Sequence, residues 1–301
     1  MRVLHLFDIG SFVHAGAVNK HSFIGGQIIK GADGFREADI QTGGLAQLLN
    51  AVYDIDPNET CVFCADRRPT IKQGMFPNYK ANRDHKLSIE KQKEIIEIIL
   101  KDIGYDVLAE EGYEADDLIY SCVQKFSKDY DFIHIWTGDS DLYFLVDEHV
   151  DIMPSRSNAK HVTRENYEYT VAKGKIVPYN CLTYNKIIGG DTSDNIPALS
   201  KEAQKTLAKL SATPGAYPNL GKKWYLDAVA EGVHPDFKKQ LDLVFPLLTN
   251  TPTELVNHVD THRLKMWGGI IRAKRYKYVS DIPTEYQAVI DSLIEAHLYE
   301  E

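Results

Sequence analysis

Three short apolar runs, each closing on an acidic residue, constrain this chain more than anything else in it. Val3–Ile9 carries Asp8 at its exit, Cys61–Ala65 is followed by Asp66, and Phe132–Trp136 runs into Thr137-Gly138-Asp139. Runs this short and this uniformly apolar read as strands buried on both faces, the signature of a parallel sheet covered by helices. Helical periodicity fills the intervals. Leu45, Leu48, Leu49 and Val52 share one face. Ser88–Ile103 carries isoleucines at helical spacing, with Ser88 as N-cap and Gly104 as stop. Leu118, Ile119, Cys122, Val123 and Phe126 form a further stripe. Tyr105–Ala109 reads as a short strand, 15–44 as a glycine-rich loop, and 67–87 as a basic stretch without a sustained apolar stripe. Strand and helix in alternation predict an α/β fold, a largely parallel sheet with flanking helices. Ligands gather at the carboxyl ends of such strands.

Those ends are acidic, and further acids join them. Nine carboxylates stand in five islands: Asp8; Asp66; Glu114, Asp116 and Asp117; Asp139 and Asp141; Asp191 and Asp194. Brought together they would repel one another unless cations entered. Hard divalent ions such as Mg²⁺ take oxygen ligands, and two side by side can drive phosphodiester hydrolysis. The acids at 114–117 also suit a helix N-terminus, where the dipole favours them without any metal. Asp139 and Asp141 follow a strand directly, so both can face one cation. The 191–194 pair lacks the remaining acids and the glycine of a calcium loop, and Gly10 at the second position after Asp8 argues against a phosphatase nucleophile.

Composition narrows the classes. No run of 18 apolar residues is present, so no membrane span is expected. An acid arrives too early at the N-terminus for a secretory signal, which predicts a cytoplasmic protein. Four cysteines are too few and too scattered for a disulfide framework. Cys61 and Cys64 lie inside an apolar strand, which predicts packing rather than zinc binding. The net charge of -9 conceals two basic patches, Arg67–Lys86 and Arg263–Lys277. An acidic pocket flanked by basic patches suits metal-dependent chemistry on a phosphate polymer.

The islands, in this order, resemble the 5′ nuclease superfamily of flap endonucleases, bacterial polymerase 5′-exonuclease domains, and bacteriophage 5′→3′ exonucleases and RNases H. The resemblance spans roughly 1–200 and rests on Asp8-Ile9-Gly10-Ser11, Ala65-Asp66, Pro77-Asn78-Tyr79-Lys80-Ala81-Asn82-Arg83, Glu114-Ala115-Asp116-Asp117, Gly138-Asp139-Ser140-Asp141 and Gly190-Asp191-Thr192-Ser193-Asp194-Asn195-Ile196-Pro197. It implies a PIN-like core over 1–170 with a helical arch near 67–90, and a helical, hairpin-like DNA-binding region over 171–301. It further implies that Asp8, Asp66, Glu114 and Asp116 serve a first Mg²⁺, with Asp117 close by, and that Asp139, Asp141, Asp191 and Asp194 serve a second. Mn²⁺ would be able to substitute. Lys80 and Arg83, one turn apart if helical, would grip a phosphate, and Tyr79 would stack on a base or pack internally. Arg67 and Lys72 from the first basic patch would add contacts to nucleic acid.

One stretch departs from the family. After Pro197 the usual glycine-rich hairpin is missing, and with it the basis for the family's potassium site. Lys201 and Lys205 recur at helical spacing and are the candidates for duplex phosphates. The expected partners are DNA with 5′ ends, flaps or nicks, an RNA–DNA hybrid, and single-stranded-DNA-binding or other replication proteins. The chain is expected to be a stand-alone monomer of bacteriophage type, working in host cytoplasm in replication, primer removal or repair. Two alternatives stay open: a catalytically silent structure-specific DNA-binding protein, or a PIN-type RNase.

Overall fold

The computed structural model describes residues 1–18, 28–29, 40–41, 43–53, 55–56, 58–83, 87–102, 105, 107–155, 160–167, 189–201, 238–240, 242–243, 247 and 265–266. Its centre is a parallel sheet. Strand β1 (Val3–Asp8) lies in the middle, buried at every residue, and leads into helix α1 (Ile9–Val18). A two-residue antiparallel pair, β2 (Ile28–Ile29) and β3 (Ile40–Gln41), precedes α2 (Gly43–Tyr53). Then come β4 (Thr60–Cys64), α3 (Thr70–Met75), α4 (Leu87–Asp102), β5 (Val107–Leu108), α5 (Ala115–Phe126) and β6 (Phe132–Thr137). A 3-10 helix over Ser140–Leu145, β7 (Val150–Pro154) and β8 (Lys265–Met266) complete the described elements.

The sheet order is β5-β4-β1-β6-β7, with β8 added antiparallel to β4. The chain moves outward from β1 through β4 to β5, then returns to place β6 on the other side of β1. Order therefore reverses at β1, and a crevice opens at the carboxyl ends there. Asp8 stands beside Cys64 in register and Phe7 beside Trp136, which brings the exits of β1, β4 and β6 to one edge.

Alternation along the strands explains why both faces are apolar. Phe7, Phe63 and Trp136 point to one side and pack with Phe12, Leu48, Ile96 and Leu100 of α1, α2 and α4. Leu4, Leu6, Val62, Cys64, Ile133 and Ile135 point to the other and pack with Leu118, Ile119, Cys122 and Phe126 of α5. Phe7 stacks between Phe63 and Trp136, at 4.7 and 5.4 Å between ring centroids. Cys61, Cys64 and Cys122 are buried free thiols, as the strand reading expected.

Several local expectations change. The expected loop over 15–44 contains the end of α1, the β2–β3 pair and the start of α2. The 67–87 stretch contains α3, and α4 begins at Leu87, so Ser88 lies inside the helix rather than capping it. Strand β7 went unread because it ends in proline and carries Asp151 between its apolar residues. Lys265–Met266 is extended where a helix was expected. The boundary near 170, Lys205 and most of the second basic patch lie outside the described residues. Among the described residues, no helix is long and apolar enough to cross a membrane.

Candidate metal centre

Each strand exit delivers one carboxylate. Asp8, the last residue of β1, is 6% exposed; Oδ1 accepts from Ser11 N at 3.0 Å and Oδ2 from the Thr137 hydroxyl at 2.9 Å. Thr137 also accepts from Asp139 N at 3.0 Å, so one hydroxyl fixes the acids of two strands. Asp139 then caps the 3-10 helix, accepting from Asp141 N at 2.9 Å. Asp66, just beyond β4, accepts from Ala115 N at 3.0 Å and from Lys93 Nζ at 3.1 Å.

Helix α5 presents the acids of the third island. Glu114 is its N-cap residue, and Asp117 accepts from Glu114 N at 3.0 Å, closing the first turn. Lys72 from α3 is 6% exposed and binds both Glu114 Oε2 and Asp117 Oδ1 at 2.9 Å. Tyr79 donates to Glu114 Oε2 at 2.8 Å, and Lys80 takes Glu114 Oε1. Glu114 thus has two ammonium partners and a phenol.

The expectation for Lys72 changes accordingly: it is an internal counterion, not a surface contact for nucleic acid. Tyr79 is 2% exposed, which supports packing over base stacking. Arg67 is also redirected. Its guanidinium forms a two-pronged pair with Glu97 of α4, both contacts at 2.8 Å, and braces that helix against the sheet.

Lys80 and Arg83 lie in a turn rather than a helix. Lys80 has φ of 54°, in the left-handed region that costs a non-glycine residue about 1 kcal/mol or more. The 190–197 loop holds it there: Asp194 O accepts from Lys80 N at 3.1 Å, and Asn195 Nδ2 donates to Asn78 O at 2.9 Å. Arg83 donates to Asp194 Oδ1 at 2.7 Å while its side chain remains 47% exposed. Asp194 itself is 3% exposed. Asp141, Asp191 and Asp194 each offer a ligand oxygen, and the three lie within 4.8 Å of one another. A cavity lined by Asp116, Asp141, Asp194, Lys72, Tyr79 and Leu247 joins the two halves of the site. Lys201 is exposed.

Electrostatics divides five of the acids, Asp8, Asp66, Glu114, Asp116 and Asp117. Burial, reinforced by the neighbouring charges of Asp66 and Asp139, pushes Asp8 up to about 7. Burial and the charges of Asp139 and Asp8 hold Asp116 well above the carboxylate range. Burial works the same way at Glu114, but Lys72 and Lys80 outweigh it and bring that carboxyl down to about 2. At Asp66 burial is again the largest influence, and Lys93 with the Ala115 amide overcomes it, to about 2. Asp117 is raised by burial, which Lys72 only partly offsets.

The donor set fits hard divalent cations. All candidate ligands are carboxylate oxygens. Gly10 sets its backbone close against two of them, since a Cβ there would lie 2.6 Å from Asp66 Oδ2 and 3.3 Å from Asp8 Oδ1. Sequence reasoning missed Thr137, Ser11 and Lys93 as parts of the site. Thr137 and Ser11 stood inside quoted motifs, whereas nothing in the spacing of Lys93 marked it.

Comparison with known proteins gives the family and the fold. Residues 22–173 match the family model for the 5′-3′ exonuclease N-terminal resolvase-like domain. DNA polymerase I of Mycobacterium bovis is 30% identical over 232 residues, 75% of this chain and 25% of that protein. The chain thus spans about a quarter of those polymerase relatives. A 5′-3′ exonuclease of Aquifex aeolicus is 28% identical over 225 residues, 74% of either chain. The bacteriophage T5 flap endonuclease, solved as a pseudo-enzyme-product complex with DNA and metal ions, superposes with a TM-score of 0.53 at 16% identity, covering 98% of this chain and 100% of that one. That likeness shows the shared fold, and the family match decides the rest: this chain belongs to the 5′-3′ exonuclease family.

Proposed function

We propose that the protein is a divalent-metal-dependent 5′ nuclease, hydrolysing phosphodiesters of DNA at 5′ ends, flaps or nicks and leaving a 5′-phosphate. The observation that carries this reading is the crowding of Asp8, Asp66 and Asp139 from three strand exits with Asp116 from the first turn of α5, tied together through the Thr137 hydroxyl and the Ala115 amide. Acids left in that condition require cations from solution. Two Mg²⁺ ions held there would lower the pKa of an attacking water and neutralise charge on the phosphate, and Mn²⁺ would serve in their place.

The chain's own residues supply the rest. Asp8, Asp116 and Asp139 would hold the first ion and Asp141, Asp191 and Asp194 the second, some through water. Glu114 lines the same site under its lysines, Asp66 joins the first ion once Lys93 releases its Oδ2, and Asp117 locks the α5 turn. Arg83, nearly half exposed, reaches solvent and can exchange Asp194 for a phosphate oxygen, and Lys80 adds a point charge beside it. Lys201 adds an exposed charge on the far side of the 190–197 loop. An RNA–DNA hybrid is a second substrate of the same chemistry. Work in replication, primer removal or repair, in bacteriophage-infected cytoplasm alongside replication proteins, is the setting that fits it.

The test is product analysis on a 5′-flap, a nicked duplex and an RNA–DNA hybrid in Mg²⁺, with Asp139→Ala as control. Cleavage confined to the wild type is expected, with one cut near the junction for flap activity or mononucleotides for exonuclease activity. Undiminished cleavage by Asp139→Ala would overturn the site.

A further inference from the structure

Helix α4 crosses the exit of β4 so that Lys93 sets its Nζ 3.1 Å from Asp66 Oδ2. Among the described residues, the other acid within ion-pair range of that ammonium is Glu90 at 3.7 Å, whose side chain is 47% exposed. This is the rim of the site rather than its floor: the Asp66 side chain is 32% exposed, against 8% for Glu114. Exposed His14 of α1 feels the charges of Lys93, Asp66, Arg83 and Glu90, so these four groups and the imidazole lie within electrostatic reach of one another.

The two oxygens of Asp66 are not equivalent. Oδ1 is taken by the Ala115 amide, which is fixed in the first turn of α5. Oδ2 is the oxygen on the side of Gly10 and Asp8, where a Cβ would lie 2.6 Å from Asp66 Oδ2 and 3.3 Å from Asp8 Oδ1, so a divalent ion shared by Asp8 and Asp66 meets the oxygen that Lys93 holds. A cation arriving there repels the ammonium and removes its strongest partner. Glu90, exposed and screened by water, holds it only weakly. The four-carbon lysine stem then lets the charge swing to the nearest new anion.

We propose that Lys93 is a substrate-contacting residue, a third cation beside Lys80 and Arg83, which gives up Asp66 and takes a backbone phosphate when the site is loaded. The inference rests on the nuclease reading above. Lys72 provides the internal contrast. It is buried and is held by Glu114 and Asp117 together, so it stays in place.

The experiment is fluorescence anisotropy of a labelled 5′-flap duplex across a salt series, in Ca²⁺ and separately in EDTA. Wild type is compared with Lys93→Met, Lys93→Gln and Lys93→Arg, with Lys80→Met in parallel. In Ca²⁺ the Met and Gln variants should bind about tenfold more weakly, and the slope of log affinity against log salt should fall by about 0.7–0.9, one phosphate contact. Lys93→Arg should keep most of the affinity. In EDTA, with Lys93 on Asp66, all four should bind alike. Equal binding by wild type and Lys93→Met in Ca²⁺ would overturn the proposal. So would an equal loss in Ca²⁺ and EDTA with a lowered unfolding midpoint, the mark of a structural residue. Loss in Lys80→Met but not in Lys93→Met would defeat this inference alone. Failure of wild type to bind in Ca²⁺ or to cleave in Mg²⁺ would defeat the nuclease reading and this one with it.

Discussion

The floor of the site and its basic wall hold acids of the same kind in opposite states. At the floor, Asp8 and Asp116 face Asp139 and are pushed toward their neutral forms by burial and by one another. At the wall, burial pushes Glu114 and Asp66 in the same direction, yet lysines keep them ionised. The difference lies in what the local backbone delivers. Parallel strand ends bring acids together with only hydroxyl and amide donors, such as Thr137 and the Ser11 N–H. Helices α3 and α4 and the 78–83 turn bring Lys72, Lys93 and Lys80. An acid crowded by other acids gains more from a metal than one already paired with a lysine. On the proposed reading the floor recruits the ions first, and the wall organises the floor and meets the substrate.

The sharpest break of this contrast is removal of a floor acid. Asp116→Asn should lower kcat by about 10³-fold or more in a flap-cleavage assay, with little loss of folding stability, because a raised carboxyl is replaced by a neutral isostere. Next is removal of a wall cation. Lys72→Met should strand Glu114 and Asp117 as buried charges and cost about 3–5 kcal/mol, read by denaturant unfolding without metal.

The pH dependence of the metal-free protein follows from the floor. The folded-state value for Asp8, about 7 against an ordinary 3.8, means that stability from this group is full below about 4 and is lost as pH rises to about 7. The loss should be on the order of a few kcal/mol. Asp66 acts in the opposite direction, but its contribution is constant in that window and falls only as pH drops from about 4 toward 2. Burial holds His5 down to about 4, and that group gains stability over the lower part of the window. The decline is therefore read as the difference between denaturation midpoints with and without Mg²⁺ from pH 4 to 8, which should widen as pH rises. The smallest effect is expected from Gly10→Ala. Alanine favours the helix by up to about 1 kcal/mol, yet its Cβ would strike the Asp66 carboxylate. Mg²⁺ affinity should fall about 10-fold while thermal stability holds or rises.

Much of the floor was legible in the sequence. Doubly buried parallel strands leave uninterrupted apolar runs, and an acid at the end of such a run has nowhere to go except the carboxyl edge of the sheet. Asp8 and Asp139 of the floor were placed that way, as was Asp66 of the wall, and the helical stripe after Asp117 placed α5. The wall was less legible. A lysine in a basic stretch looks the same whether it faces water or a buried carboxylate, so Lys72 read as a surface contact until α3 turned it inward. Arg67 did so for the same reason, its partner Glu97 being 30 residues away on another element. The left-handed backbone at Lys80 is a tertiary effect of the 190–197 loop and leaves no local mark. Lys93 carried no motif at all.

Calorimetric titration of Mg²⁺ into metal-free wild type, Glu114→Gln and Asp116→Asn tests the central claim most directly. If floor acids recruit the ions and wall acids are already neutralised, Asp116→Asn should lose Mg²⁺ affinity at least tenfold more than Glu114→Gln. Equal losses, or a greater loss in Glu114→Gln, would contradict the account.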